Sequence, residues 1–367
     1  MRAANAIDFW RGVALLMIFV NHIPGNAIGQ LTLRNYAVSD AAELFVFLAG
    51  WSLSYATGGP FHPEPWLRTL LRLLSRAIQI YRAQLVITML ALAFLASVAL
   101  VFEDPLFLEW HNAASIFYDP VRAIIGTVLL THQLGYFNIL PLYVALLLFA
   151  PFVIGLARWR MWSALAVSVL IYTFALVTWA IPPNWPAEER WYFNPLSWQI
   201  LLVLGFLSAE LSRSSTAFNQ LIARLVPLAW VALGVGAFIT LNQIWPDPMR
   251  VPEPRLFFLF DKTYLSPVRI LGMIALAVAF HSVFKYVERP LGPVTSLMCA
   301  FGRNSLAVFC VGSLLSLIGQ VTRAILPESL LLDCAMFVCG VALMGLTAWF
   351  VEWRSRVPYL AASQQAS

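Results

Sequence analysis

Arg11 and His22 stand eleven residues apart in the stretch IDFWRGVALLMIFVNHIPG. At 100° and 1.5 Å per residue, a helix brings them to within about 20° on one face and roughly 16 Å apart along its axis, so one polar stripe runs through an apolar segment. Histidine titrates near neutrality and serves as a general acid or base, which makes His22, with Asn21 beside it, the first candidate for chemistry. Asp8 lies one turn before Arg11 and can pair with it, while Pro24 ends or kinks the helix and frees carbonyls near His22. A plainer account makes His22 an interhelical hydrogen-bond partner and Arg11 an interfacial anchor.

Glu43 follows in SDAAELFVFLAGW, after Asp40 at an expected N-cap. Both carboxylates suit the positive end of a helix dipole, and the short connection from the first helix also allows Glu43 to meet His22 and fix its tautomer. In PWLRTLLRLLSRAIQIYRAQ, Arg68, Arg72 and Arg76 recur every four residues on one face of an expected amphipathic cytoplasmic helix. Such a row fits anionic lipid, or a polyanionic ligand such as coenzyme A. Asn194 and Gln199 in FNPLSWQ, Lys262 and Arg269 in FDKTYLSPVR, and Arg303 with Asn304 in GRNSLAVFC stand at expected helix entrances and complete the candidates. His281 reads as structural, and His62, His111 and His132 fall in loops without an assigned role.

The elements that must position these residues are membrane helices. The chain of 367 residues is 60% hydrophobic and 11% charged, about half the charged fraction of soluble domains. Apolar runs near 20 residues, the length that crosses a bilayer core, recur throughout. They predict an all-α integral membrane protein, a single polytopic domain over 1–367, with ten helices near 7–24, 40–58, 83–102, 137–157, 161–181, 197–212, 225–244, 267–286, 304–322 and 330–351. The first run follows Asp8 and Arg11 without a small-residue cleavage site, so it is expected to remain as helix one. Arginines concentrate in alternate connections, which by the positive-inside rule places both termini in the cytoplasm.

Three long outer connections, near 103–136, 182–196 and 245–266, form the expected binding surface. The stretch PPNWPAEERWYFNP, with Glu188 and Glu189, suits either sugar recognition or an interfacial aromatic belt. No phosphate cradle, GxSxG elbow or HExxH motif occurs, which removes nucleotide hydrolysis, dinucleotide redox, serine hydrolysis and zinc proteolysis. Cys299, Cys310, Cys334 and Cys339 lack metal-ligand spacing, no metal site is expected, and dispersed basic residues without a binding face argue against nucleic acid.

The spacing Arg11, ten residues, His22 resembles the first-helix motif of the acyltransferase 3 membrane proteins, which O-acylate sugars and polysaccharides. DFWRGVALLMIFVNHIPGN and LRNYAVSDAAELFVFLAGW, with FNPLSWQILLVLG, DKTYLSPVRILG and GRNSLAVFCVGSLLSL, more narrowly resemble the OpgC family, which succinylates osmoregulated periplasmic glucans. One departure is LAGW, with Ala49 and Trp51 where the wider pattern has Ser-Gly-Phe, so no nucleophile is placed there. The resemblance implies ten helices in the bacterial inner membrane, acyl-CoA as cytoplasmic donor, succinyl-CoA in particular, a periplasmic glucan acceptor and glucan-synthesis partners. Carried onto these residues, it makes His22 the general base with Glu43 orienting it and Asn21 holding the thioester oxygen. Arg11, Arg72 and Arg76 then hold the coenzyme, and Asp8, Asn194, Gln199, Lys262, Arg269, Arg303 and Asn304 form the substrate side. A glycan transporter or flippase, with the same polar residues lining a path, is the alternative.

Overall fold

The computed structural model describes residues 5–58, 63–187, 189–281 and 283–365, with side chains as far as 355. All ten expected apolar runs are helical, because a chain in hydrocarbon must satisfy its backbone polar groups within each segment. The helices are α1 (Ala6–Asn21), α2 (Ala41–Thr57), α3 (Trp66–Val101), α4 (Ala114–Tyr118), α5 (Pro120–Val128), α6 (Ile139–Trp159) and α7 (Met161–Thr178). They continue as α8 (Pro195–Ser214), α9 (Thr216–Leu241), α10 (Pro267–Phe280), α11 (Val283–Val287), α12 (Gly292–Arg303), α13 (Ser305–Ile325) and α14 (Leu330–Gln365). Among the described residues the one sheet is a hairpin of β1 (Pro183–Asn184) and β2 (Glu189–Arg190). Among the described residues seven helices, α3, α6, α7, α8, α9, α13 and α14, are long and apolar enough to cross a membrane, and the protein is an all-α membrane protein.

Several boundaries differ from the sequence expectation. The helix α1 stops at Asn21 rather than 24, because Pro24 has no N–H to continue the ladder and Ile23 instead donates to Val20. No glycine or proline interrupts 66–101, so the arginine row and the apolar run expected at 83–102 form one continuous helix, α3. The run at 267–286 divides into α10 and α11. The helix α12, in a stretch without an expected element, is twelve residues long and too short to signal a span.

The chain packs into two compact units. One comprises residues 1–36, 40–45 and 279–367, the other 37–39 and 46–278. In the first, α1 lies against α12 and α13, and α13 against α14. The crossing of α1 and α12 depends on two glycines: a Cβ on Gly12 would stand 1.9 Å from the Met298 carbonyl oxygen, and one on Gly302 1.9 Å from that of Asp8. In the second unit α8 is central, with Trp198, Leu201, Val203, Phe206 and Ala209 fully buried among α6, α7 and α9. There Gly50 of α2 and Gly205 of α8 form a similar crossing, a Cβ on either lying within 2.0 Å of the other helix's backbone. That crossing gives the glycine of LAGW a packing role.

Candidate functional site

In the first unit, His22 is the half-buried C-cap of α1, and its N–H donates to the Ile18 carbonyl at 3.0 Å. The Arg11–His22 stripe is therefore realised almost to its last residue. Arg11, half-buried, sets its guanidinium 5.9 Å from the centre of the Phe45 ring. Asn21 accepts a hydrogen bond at 2.6 Å from the buried Thr32 hydroxyl, which leaves its amide N–H groups as donors.

Asp8 is buried and engaged by Asn5, whose amide donates to its carboxylate at 2.6 Å and whose oxygen accepts its backbone N–H at 2.9 Å. Glu43 is fully buried, and its Oε2 accepts the Asp40 N–H at 3.1 Å while Asp40 Oδ1 accepts that of Ala42 at 2.9 Å. One oxygen of Glu43 thus closes the start of α2, as a first-turn carboxylate does.

A set of polar residues on α13 and α14, unmarked in the sequence expectation, surrounds the turn after His22. Ser316 donates to the Phe19 carbonyl at 2.9 Å, Gln320 to that of His22, and Arg323 to that of Gly25 at 3.0 Å. Asp333 pairs with Arg323 and accepts the Ala27 N–H at 2.8 Å. The available signal was their spacing at i, i+4 and i+7 along α13, one polar row on an apolar helix.

Arg303 and Asn304 join α12 to α14. Arg303 meets Glu352 at 2.9 Å, and the Asn304 amide donates to the same carboxylate at 3.2 Å. Both act here as a cross-brace.

In the second unit, Arg72 pairs with Glu64 at 2.9 Å and donates to the Ala56 carbonyl, and Arg76 donates to Gln79 at 2.7 Å. Arg68 and Arg72 line an open groove of about 550 Å³ with Pro65, Leu67 and Leu71. Asn194 caps α8, accepting the Leu196 N–H at 3.1 Å and donating to the Ala180 carbonyl at 2.8 Å. Gln199 accepts the Ser168 hydroxyl at 2.7 Å and donates to the Ser168 carbonyl at 2.9 Å. Both amides are buried, so their polar groups serve the α7–α8 scaffold.

The Lys262 ammonium lies 5.9 Å from the Phe193 ring. Arg269, in the first turn of α10, is only 8% exposed, and its carbonyl accepts the Ser39 hydroxyl. In the aromatic stretch around the β1–β2 hairpin, Trp191 and Phe193 are buried anchors, whereas Trp185 and Tyr192 present exposed rings. His132 is buried against α5 and the β1–β2 hairpin, neither ring nitrogen has a hydrogen-bond partner among the described residues, and burial pushes its pKa below 6.5 against the raising influence of Glu189. His62 and Glu188 lie outside the described residues.

No protein of curated function matches this sequence. The family model described as OpgC protein matches residues 3–356, a span that takes in both units, the Arg11–His22 stripe and the braces around it. On that match, the chain belongs to the OpgC family of glucan-modifying membrane proteins.

Proposed function

We propose that the protein is an O-acyltransferase that moves an acyl group, succinyl in particular, from cytoplasmic acyl-CoA to hydroxyls of a periplasmic glucan, in the bacterial inner membrane. The observation that carries this reading is a half-buried histidine at the capped end of α1, in a chain matched by its family over residues 3–356. In the proposed reaction His22 takes the proton of a glucan hydroxyl as that oxygen attacks the thioester carbonyl. The carbon–sulfur bond then breaks, and the imidazolium returns the proton to the coenzyme A thiolate. The Asn21 amide donates to the oxyanion, an assignment supported by the Thr32 bond that orients it. Glu43 orients the imidazole. Arg11, Arg72 and Arg76 take the donor's phosphates, and Arg269 the free carboxylate of succinyl.

The test is transfer of label from succinyl-CoA to glucan by purified protein, compared with His22→Ala. Loss of the base is expected to lower the rate by about 10² to 10⁴ while yield and insertion persist. Wild-type ester in the variant ends the base assignment. Glycan crossing the bilayer unmodified, with no label moved by wild type, points to a transporter.

A further inference from the structure

The polar row on α13 does more than hold two helices together. The last turn of a helix leaves carbonyls without partners, and Pro24 prevents α1 from continuing to cover them. In a membrane each such carbonyl must find a donor in the protein. Ser316, Gln320 and Arg323 lie within an arc of about 60° on α13 and meet the carbonyls of Phe19, His22 and Gly25 in the same order along the chain. The two helices therefore run parallel, and the row follows the chain past the point where α1 ends.

Beyond His22 the contact becomes a clasp. The Arg323 and Asp333 side chains are 6% and 5% exposed, and a buried ion pair is worth its desolvation only when further hydrogen bonds complete it. Those bonds go to the Gly25 carbonyl at 3.0 Å and the Ala27 N–H at 2.8 Å, three and five residues past His22. Gly25 has φ +76°, and a Cβ there would lie 2.9 Å from the Arg323 guanidinium, so glycine permits both the turn and the approach.

We infer that Gln320, Arg323 and Asp333 are positioning residues, which fix the 22–27 turn and through it the aim of the His22 imidazole. The inference rests on His22 being the base. Misplacement of a catalytic group by about 1 Å can cost roughly 10²-fold in rate, so loosening this turn should appear in kcat rather than in donor binding.

The experiment uses the full chain in lipid nanodiscs, with Gln320→Met, Arg323→Met and Arg323→Lys. Two quantities are read: steady-state transfer from succinyl-CoA to glucan, and the rate at which diethyl pyrocarbonate modifies His22, followed by peptide mass spectrometry. In Gln320→Met and Arg323→Met, kcat is expected to fall about tenfold or more with KM for the donor within about twofold, and His22 modification to change at least about threefold. Arg323→Lys keeps the charge pair but not the fork, and should recover part of both.

If Arg323→Met fails to fold, Gln320→Met, which leaves the ion pair intact, decides alone. Modification and kcat both at wild-type values overturn the clasp. So does a fall in kcat with unchanged modification, since the effect would then bypass His22, and so does a rise in KM at constant kcat. Transfer persisting in His22→Ala would sink the base assignment instead, and the modification rate still judges whether the clasp fixes the turn.

Discussion

Gly12→Ala should damage both stability and transfer, because Gly12 is where α1 meets the backbone of α12. The added Cβ would stand 1.9 Å from the Met298 carbonyl oxygen and 2.7 Å from its carbon. An ordinary contact needs about 3.4 Å, so α1 must retreat by about 1.5 Å, and the obstacle is backbone, which cannot swing aside as a side chain does. Overpacking of this kind costs about 1–3 kcal/mol. The displaced helix carries Arg11 and His22, and a shift of that size should lower transfer by about 10²-fold. Thermal unfolding in nanodiscs and label transfer to glucan measure the two effects, with Gly29→Ala as the control, since a Cβ there meets nothing within 4 Å. A Gly12→Ala protein that melts with wild type and transfers at the wild-type rate would refute the crossing as the determinant of α1's position.

Replacing Arg72 and Arg76 by Gln should weaken acyl-CoA binding about fivefold per residue, a charge-assisted bond discounted for exposure, whereas Glu64→Gln should strengthen it by releasing Arg72 from its 2.9 Å pair. Titration with acyl-CoA checks both, and altered lipid association with unchanged donor affinity rejects the phosphate assignment. Arg269→Gln should reduce succinyl transfer and spare acetyl transfer, since only succinyl brings a carboxylate that needs a buried cation; competing the two donors decides, and an equal loss rejects Arg269. His132 favours the neutral ring when folded, so its contribution is complete above pH 6.5 and is lost as pH falls from there through its depressed pKa. Hydrogen exchange at Gln133 and Trp191 should therefore lose protection on acidification in wild type but not in His132→Leu, and the same loss in both excludes His132 as the cause.

The helices were legible because a long apolar run in a bilayer has few alternatives to a self-satisfied helix. What escaped depends on partners distant in sequence. The helix α12 has only twelve residues, and its place follows from the backbone contacts of Gly12 with Met298 and Gly302 with Asp8, which no local pattern encodes. The same blindness affected the polar residues at helix entrances. Asn194 and Gln199 have the composition of a binding site, yet their hydrogen bonds close on Ala180, Leu196 and Ser168. Arg303 and Asn304 stand at an expected helix entrance, and nothing nearby in sequence announces that Glu352, on a helix two elements later, meets them both.

The Arg11–His22 spacing was legible for the opposite reason, since both residues lie on one helix and its period relates them directly. The surroundings of His22 were not, because they are built from side chains of α13 and α14 that bond to main-chain atoms of another segment, and main-chain atoms leave no mark on residue type. This distinction has a functional consequence. Capture of the Phe19, His22 and Gly25 carbonyls and of the Ala27 N–H holds the turn through its main chain, a means of support independent of the side chain at position 22. A histidine kept only to brace helices would be expected to take the fold with it when removed. The segment 19–27 has four main-chain anchors besides, and it is on that physical ground that His22→Ala is expected to insert and fold while losing transfer.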